Sequence, residues 1–241
     1  MAKLFLIVQA RMTSTRLPKK VMLALCGTTV LEVFLKRIKS FKNNIIIATT
    51  NDGSEEDIVN TAKSFGIKYY RGDTNNVLSR YYESAVKYQA NDEDIIVRCT
   101  SDCPLLDEKI LEECIDSFKT LDIDYLTCGF EGGFPRGMDV EVFRFKLLKD
   151  AYLNAKSDYE KEHVTPYIHT TKKDEFKILE YKNKYDHSKY RLTLDEQEDY
   201  ILIKEIYKRF DNRLDFSYDE LISLLEKEPE LLKINEKIKQ K

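Results

Sequence analysis

The chain has 241 residues, 42% hydrophobic and 34% charged, with Lys+Arg 39 set against Asp+Glu 42 and a net charge of −3. That length suits one large domain with its own core, and the charge balance argues against a nucleic-acid partner, which needs a basic surplus on one face. The cysteines, Cys26, Cys99, Cys103, Cys114 and Cys128, are odd in number and lie mostly in apolar runs, so they read as small core residues of a reducing cytoplasm rather than a disulfide framework. No His or Cys pair at zinc spacing accompanies Cys99 and Cys103. No stretch reaches the roughly 20 apolar residues of a membrane span, and the amino-terminal apolar run is too short for a secretory signal.

The predicted elements alternate. An apolar strand over residues 4–8 runs into a loop, residues 9–20, that carries Arg11, Arg16, Lys19 and Lys20 beside Thr13, Ser14, Thr15 and Pro18. A helix over about 30–41 follows, opened by Thr29 with Glu32 as a capping box. A strand over 45–49 ends in the turn Asn51-Asp52-Gly53, and Ser54 is placed to cap a helix whose apolar positions Ile58, Val59, Ala62 and Phe65 precede Gly66. A short strand over 68–70 leads through Arg71 to an aromatic-rich helix ending near Gln89. The strand over 94–99 runs into Thr100-Ser101-Asp102-Cys103-Pro104, then a helix over about 107–119. Repeated βαβ units imply a parallel sheet with helices on both faces, and right-handed crossovers place the strand-end loops on one edge.

Beyond Cys128 the pattern changes. Residues 129–137 hold Gly129, Gly132, Gly133 and Gly137 and read as a loop with unusual backbone demands. A strand over 138–145, helices over about 146–154 and 159–169, and a strand over 176–180 follow. None extends a βαβ series, so residues 129–190 read as an inserted arm within the single domain, walling one side of a pocket and able to carry a dimer contact. The chain is expected to rejoin the sheet at Leu192-Thr193-Leu194 and enter a helix over 200–210, with residues 211–241 a solvated helical flank.

Three strand-end loops carry chemistry. Arg11, Arg16 and Lys20 can neutralise a triphosphate while Ser14 and Thr15 offer hydroxyls, and Ala10 and Thr100, just past their strands, are further nucleotide-binding candidates. Neither a Walker loop nor G-x-G-x-x-G is present. Asp102 and Asp195 end strands on the same edge, where two carboxylates facing phosphates suit Mg²⁺. Each also has a purely structural reading, Asp102 as a turn cap and Asp195 with Glu198 as a capping box. Arg71 and Arg80 follow the next strand end and could flank a nucleotide. The acidic triplets 92–94 and 122–124 precede strands and read as turns on the opposite edge, which counts against a glycosyltransferase.

Five segments together resemble the cytidylyltransferases of the spore coat polysaccharide biosynthesis type, relatives of the octulosonate and acylneuraminate enzymes: residues 9–20, Ser101-Asp102-Cys103-Pro104, residues 134–141, residues 162–168 and Arg191-Leu192-Thr193-Leu194-Asp195. The resemblance covers about residues 4–210. It implies a Rossmann-like nucleotide-diphospho-sugar transferase fold, CTP and Mg²⁺ as cosubstrates, and often a homodimer. Matched to the family's motifs, Arg11, Arg16 and Lys20 would hold the triphosphate and Asp102 and Asp195 the metal. The acceptor half would draw on Arg136, Glu141, Glu162 and His163. Gln9 stands where the octulosonate and sialate enzymes usually carry proline, and Ser101-Asp102-Cys103-Pro104 differs from their version, so both an acidic sugar and a phosphorylated small molecule remain possible acceptors.

Overall fold

The amino-terminal apolar run forms strand β1 (Leu4–Gln9), whose central residues are buried on both faces as an interior parallel strand requires. In the computed structural model, which describes residues 2–129 and 131–239, Phe130 of the glycine-rich loop lies outside the described part. After β1 come a small hairpin of β2 (Ala24–Leu25) and β3 (Thr28–Thr29), helix α1 (Val30–Arg37), β4 (Ile45–Thr50), α2 (Glu56–Ser64), β5 (Lys68–Gly72), α3 (Val77–Lys87), β6 (Ile95–Thr100) and α4 (Glu108–Thr120). The second half holds β7 (Tyr125–Thr127), β8 (Glu141–Arg144), α5 (Phe145–Asn154), α6 (Asp158–His163), β9 (Ile178–Glu180), α7 (Gln197–Arg209) and α8 (Tyr218–Lys227).

Seven strands make one sheet in the order β5-β4-β1-β6-β8-β7-β9. All run parallel except β8, which lies antiparallel between β6 and β7. Two apolar clusters sandwich it. Alternation sends Leu6, Val8, Ile95 and Val97 into the cluster beneath α1, α2, α4, α7 and α8, and Phe5, Ile7, Ile96 and Phe143 into the cluster beneath α3 and α5. The expected mixed, mostly parallel α/β sheet with helices on both faces is therefore present.

Several local expectations are corrected. The basic loop and the helix expected from about residue 30 are separated by a single tight turn, Lys20–Met22, and the β2–β3 hairpin. Thr29 does cap α1, its hydroxyl accepting from the Glu32 amide, but α1 stops at Arg37 and gives way to the turn Lys39–Asn44. Ser54 does not cap α2; its amide and hydroxyl both donate to Asp52. Gly66, at φ 64, does end that helix region. Residues 129–190 are not set apart from the sheet, because β8 and β9 are two of its strands. Leu192–Leu194 forms no strand of the sheet; a lone parallel bridge joins Arg136 to Arg191 instead.

The helix expected over 159–169 is broken. Val164 sits at φ 74 and ψ −57, and the Thr165 amide donates to the His163 carbonyl two residues back. That is a strained γ-turn, rare for a β-branched residue, and it ends α6 at the pocket wall. The carboxyl-terminal region is no solvated flank either. Leu221, Leu225 and Leu231 are buried in the first cluster, since α8 presents an apolar stripe that would otherwise face water. Buried Arg37 ties this region to the centre by donating to the carbonyls of Leu105, Leu106, Leu214 and Phe216.

Candidate active site

One sheet face changes character along its strands. Reading alternate residues, Phe5, Ile7 and then Gln9 follow one another on β1, Ile96, Arg98 and then Thr100 on β6, and Tyr125 then Thr127 on β7, while antiparallel β8 offers Phe143 and then Glu141. The apolar members lie in the core. The polar members floor a cleft of about 1020 Å³. The cleft thus lies at the carboxyl ends of the parallel strands, the usual ligand position in open α/β sheets.

The basic loop forms one wall. Ala10, Arg11, Ser14, Thr15, Arg16 and Lys20 all line the cleft, as do Thr100, Asp102 and Asp195. Loop hydrogen bonds set this geometry: the Lys19 amide donates to the Met12 carbonyl, with Lys19 itself at φ 57. Both the amide and the hydroxyl of Ser101 donate to the Gln9 carbonyl, and the Leu194 amide donates to the Asp102 carbonyl. The two carboxylates are thereby brought together although 93 positions separate them in the chain.

Lys20 stands between them. Its Nζ donates to Asp102 Oδ2 at 2.5 Å and to Asp195 Oδ1 at 2.8 Å, and Arg16 reaches the same Asp195 oxygen at 3.1 Å. Burial works against the Lys20 ammonium, but the Asp102 and Asp195 charges outweigh it and hold its pKa above the ordinary value. Burial likewise works against the Asp195 carboxylate, and Lys20, Arg16 and Arg191 outweigh it and hold its pKa low. The capping-box reading of Asp195 with Glu198 is wrong: the box on α7 is formed by Glu196 and Asp199. Asp195 is one residue too early to cap and is left to face the cleft.

Arg71 is not part of the site. It is drawn to the acidic start of α2, 2.6 Å from Glu56 and 3.5 Å from Glu55, and does not line the cleft. Arg80 does line it; α3 buries the side chain, its Nη1 donates to the Asp73 and Thr74 carbonyls, and burial lowers its pKa to about 10. The acidic triplets precede β6 and β7, on the edge away from Asp102.

Arg136, Glu141, Glu162 and His163 line the far half of the cleft as expected. Burial pushes the His163 pKa down, which favours the neutral imidazole. Sequence reasoning missed Arg98. It sits directly opposite Glu141 in the β6–β8 register, 2.8 Å away, over the Tyr81 ring. Arg98 Nε, Glu141 Oε2 and Gln9 Oε1 are buried without a hydrogen-bond partner among the described residues, an unfavourable arrangement of about 1–3 kcal/mol each unless water or ligand meets them. An arginine inside an otherwise apolar strand was the available signal. Asp139 and His169 also line this half; burial raises the Asp139 pKa and lowers that of His169. Gly137 allows the glycine-rich loop to lie against Leu192: at φ 104, an added Cβ would fall 2.6 Å from the Leu192 carbonyl carbon.

A basic wall, two converging carboxylates and a polar floor thus line one cleft, and comparison with known proteins shows the family. The cytidylyltransferase family model matches residues 5–238. The chain is 32% identical to the spore coat polysaccharide biosynthesis protein SpsF of Bacillus subtilis, over 95% of this chain and 97% of that protein. A cytidylyltransferase structure from Leptospira borgpetersenii serovar Hardjo-bovis superimposes with a TM-score of 0.92 and 38% identity over 100% of both chains. CMP:2-keto-3-deoxy-manno-octonic acid synthetase, solved with CTP, has the same fold, at a TM-score of 0.64 and 14% identity over 87% of this chain and 100% of that one. With the match spanning nearly the whole chain, the protein belongs to the cytidylyltransferase family and is a nucleotidyltransferase.

Proposed function

We propose that the enzyme transfers CMP from CTP to an acidic sugar of the octulosonate or nonulosonate kind, releasing pyrophosphate, with Mg²⁺ held by Asp102 and Asp195. The observation that carries this reading is the Lys20 ammonium seated between the two carboxylates, 2.5 and 2.8 Å from each. It marks a place where the fold stabilises positive charge beside the triphosphate wall. Among the described residues no group of three His, Cys, Asp or Glu side chains could hold a metal alone. That suits Mg²⁺, which commonly takes one or two carboxylates and completes its shell with water and substrate phosphates. When bound, Mg²⁺ would polarise the α-phosphoryl group and favour ionisation of the acceptor hydroxyl.

The protein's own residues supply positioning and charge, which is most of what an in-line phosphoryl displacement needs. Arg11, Arg16 and Lys20 balance the negative charge that grows on the departing pyrophosphate, and Ser14 and Thr15 bond its oxygens. In the far half, Arg98 and Arg136 meet the acceptor carboxylate, while Glu141, Glu162 and neutral His163 bond its hydroxyls. Three carboxylates (Asp139, Glu141, Glu162) against two arginines favour a single acceptor carboxylate over a phosphate dianion, which would be repelled by Glu141 beside Arg98. A cytoplasmic homodimer is part of the same proposal, resting on the family resemblance alone. No helix among the described residues is long and apolar enough to cross a membrane.

A pyrophosphate-release assay with CTP, Mg²⁺ and a panel of sugar acids and phosphorylated polyols tests the assignment. Release is expected with sugar acids; release only with phosphorylated acceptors would overturn the acceptor class. Asp195→Asn is expected to abolish release; it should lose stability with the Lys20 and Arg16 pairs but still fold, because Glu196 and Asp199 keep the helix cap. Full activity in that variant would remove the metal role.

A further inference from the structure

Behind Asp195 lies a buried network that the reaction scheme does not use. Asp199, fully buried on the first turn of α7, receives five hydrogen bonds: Arg191 Nε and Nη2 at 2.9 and 2.8 Å, the Asp195 and Glu196 amides at 3.0 Å each, and Asn235 Nδ2 at 2.9 Å. Asn235 Nδ2 is also 3.0 Å from the Arg191 carbonyl. It comes from the far end of the chain, just past the turn Pro229–Ile234 that Leu231 anchors in the core. Arg191, through the same Nη2, reaches Asp195 Oδ2 at a longer 3.4 Å.

The two oxygens of Asp195 therefore answer to different partners, Oδ1 to Lys20 and Arg16 and Oδ2 to Arg191. The Arg191 guanidinium is shared between Asp199, in a close two-pronged pair, and Asp195, at the edge of hydrogen-bond range. Any loss of order in Asp199 would release Arg191 toward Asp195 and neutralise the oxygen that a metal needs. We propose that Asn235 is a positioning residue: by completing the shell of Asp199 it keeps Arg191 off Asp195 and holds that carboxylate available for the metal–nucleotide complex. The carboxyl-terminal segment thus sets nucleotide affinity without touching the nucleotide. This rests on the reading of Asp195 as a metal ligand.

Removing a group that orients a metal ligand typically weakens metal affinity about 10–100-fold. CTP binding is to be measured by calorimetry in Mg²⁺ and in EDTA for the wild type, Asn235→Ala and Asn235→Leu, the last keeping the branched side-chain shape without the donor. In both variants the Mg²⁺-dependent gain in CTP affinity is expected to fall by about tenfold or more. Affinity in EDTA should stay within about twofold, since the triphosphate wall is untouched. A merely structural role would lower the ligand-free melting temperature and leave the ratio of the two affinities unchanged. If the wild type binds CTP equally in Mg²⁺ and EDTA, the metal reading fails first; if the wild-type ratio is large and both variants retain it, the role of Asn235 is refuted alone. Should Asn235→Ala not fold, Asn235→Leu decides.

Discussion

Replacing Lys20 with methionine removes the one ammonium that both site carboxylates share while keeping most of its apolar stem. Two oxygens bound to one nitrogen at 2.5 and 2.8 Å would then face each other across at most about 5 Å, where like charges at an effective dielectric of about 20 repel by about 3 kcal/mol. Arg16, 3.1 Å from Asp195 but partly exposed, offsets some of this, so we expect a loss of about 2–3 kcal/mol at pH 7. Lys20 helps to hold the Asp195 pKa low. Without it that pKa rises, and the deficit should shrink as acid protonates Asp195. Millimolar Mg²⁺ should restore part of the stability of Lys20→Met, because a divalent cation can take the ammonium's place, and should scarcely change the wild type without nucleotide. Urea unfolding followed by circular dichroism, with and without Mg²⁺, reads all three effects. A variant with the wild-type midpoint and no response to Mg²⁺ would refute the picture of two carboxylates held together by a shared cation.

Other substitutions probe the remaining walls. Arg98→Lys keeps a positive charge beside Glu141 but loses the planar fork; KM for a sugar acid is expected to rise about tenfold or more with CTP affinity unchanged, and a rise in KM for CTP instead would move Arg98 to the nucleotide half. Gly137→Ala should cost about 1–3 kcal/mol and also weaken CTP binding in Mg²⁺, since the displaced Leu192 backbone leads directly to Asp195; melting curves and calorimetry check both. For pH, burial holds His163 below its ordinary 6.5, so the unfolded chain binds more protons just under that value and stability falls as pH drops through 6.5 toward the folded pKa. His163→Gln should flatten that part of the stability curve, and an unaltered curve would show that the imidazole is not buried as described.

Much of the nucleotide half was legible in the residues. The basic loop after β1, the small hydroxyl residues within it and the Asp102 turn after β6 are local features, fixed by which residues follow an apolar strand. They lie on one edge because parallel βαβ connections have one hand. Arg71 shows where such reasoning stops: it too follows a strand end, but the acidic start of α2, 2.6 Å away, captures it. Asp195 shows the converse. Its spacing to Glu198 fitted a cap, yet the helix starts one residue later, so Asp199 takes the capping role and Asp195 faces Lys20.

The sequence by itself determined the alternating architecture, the basic loop after β1 and one of the two carboxylate positions, because hydrophobic period, turn residues and strand-end order act over a few residues. Only the tertiary structure decided the rest. The insertion of β8 antiparallel beside β6 pairs Arg98 with Glu141 across 43 positions, and the return of the chain's end sets Asn235 against Asp199 across 36. Neither pairing has a local signature, since each depends on sheet register or core packing that brings distant segments together.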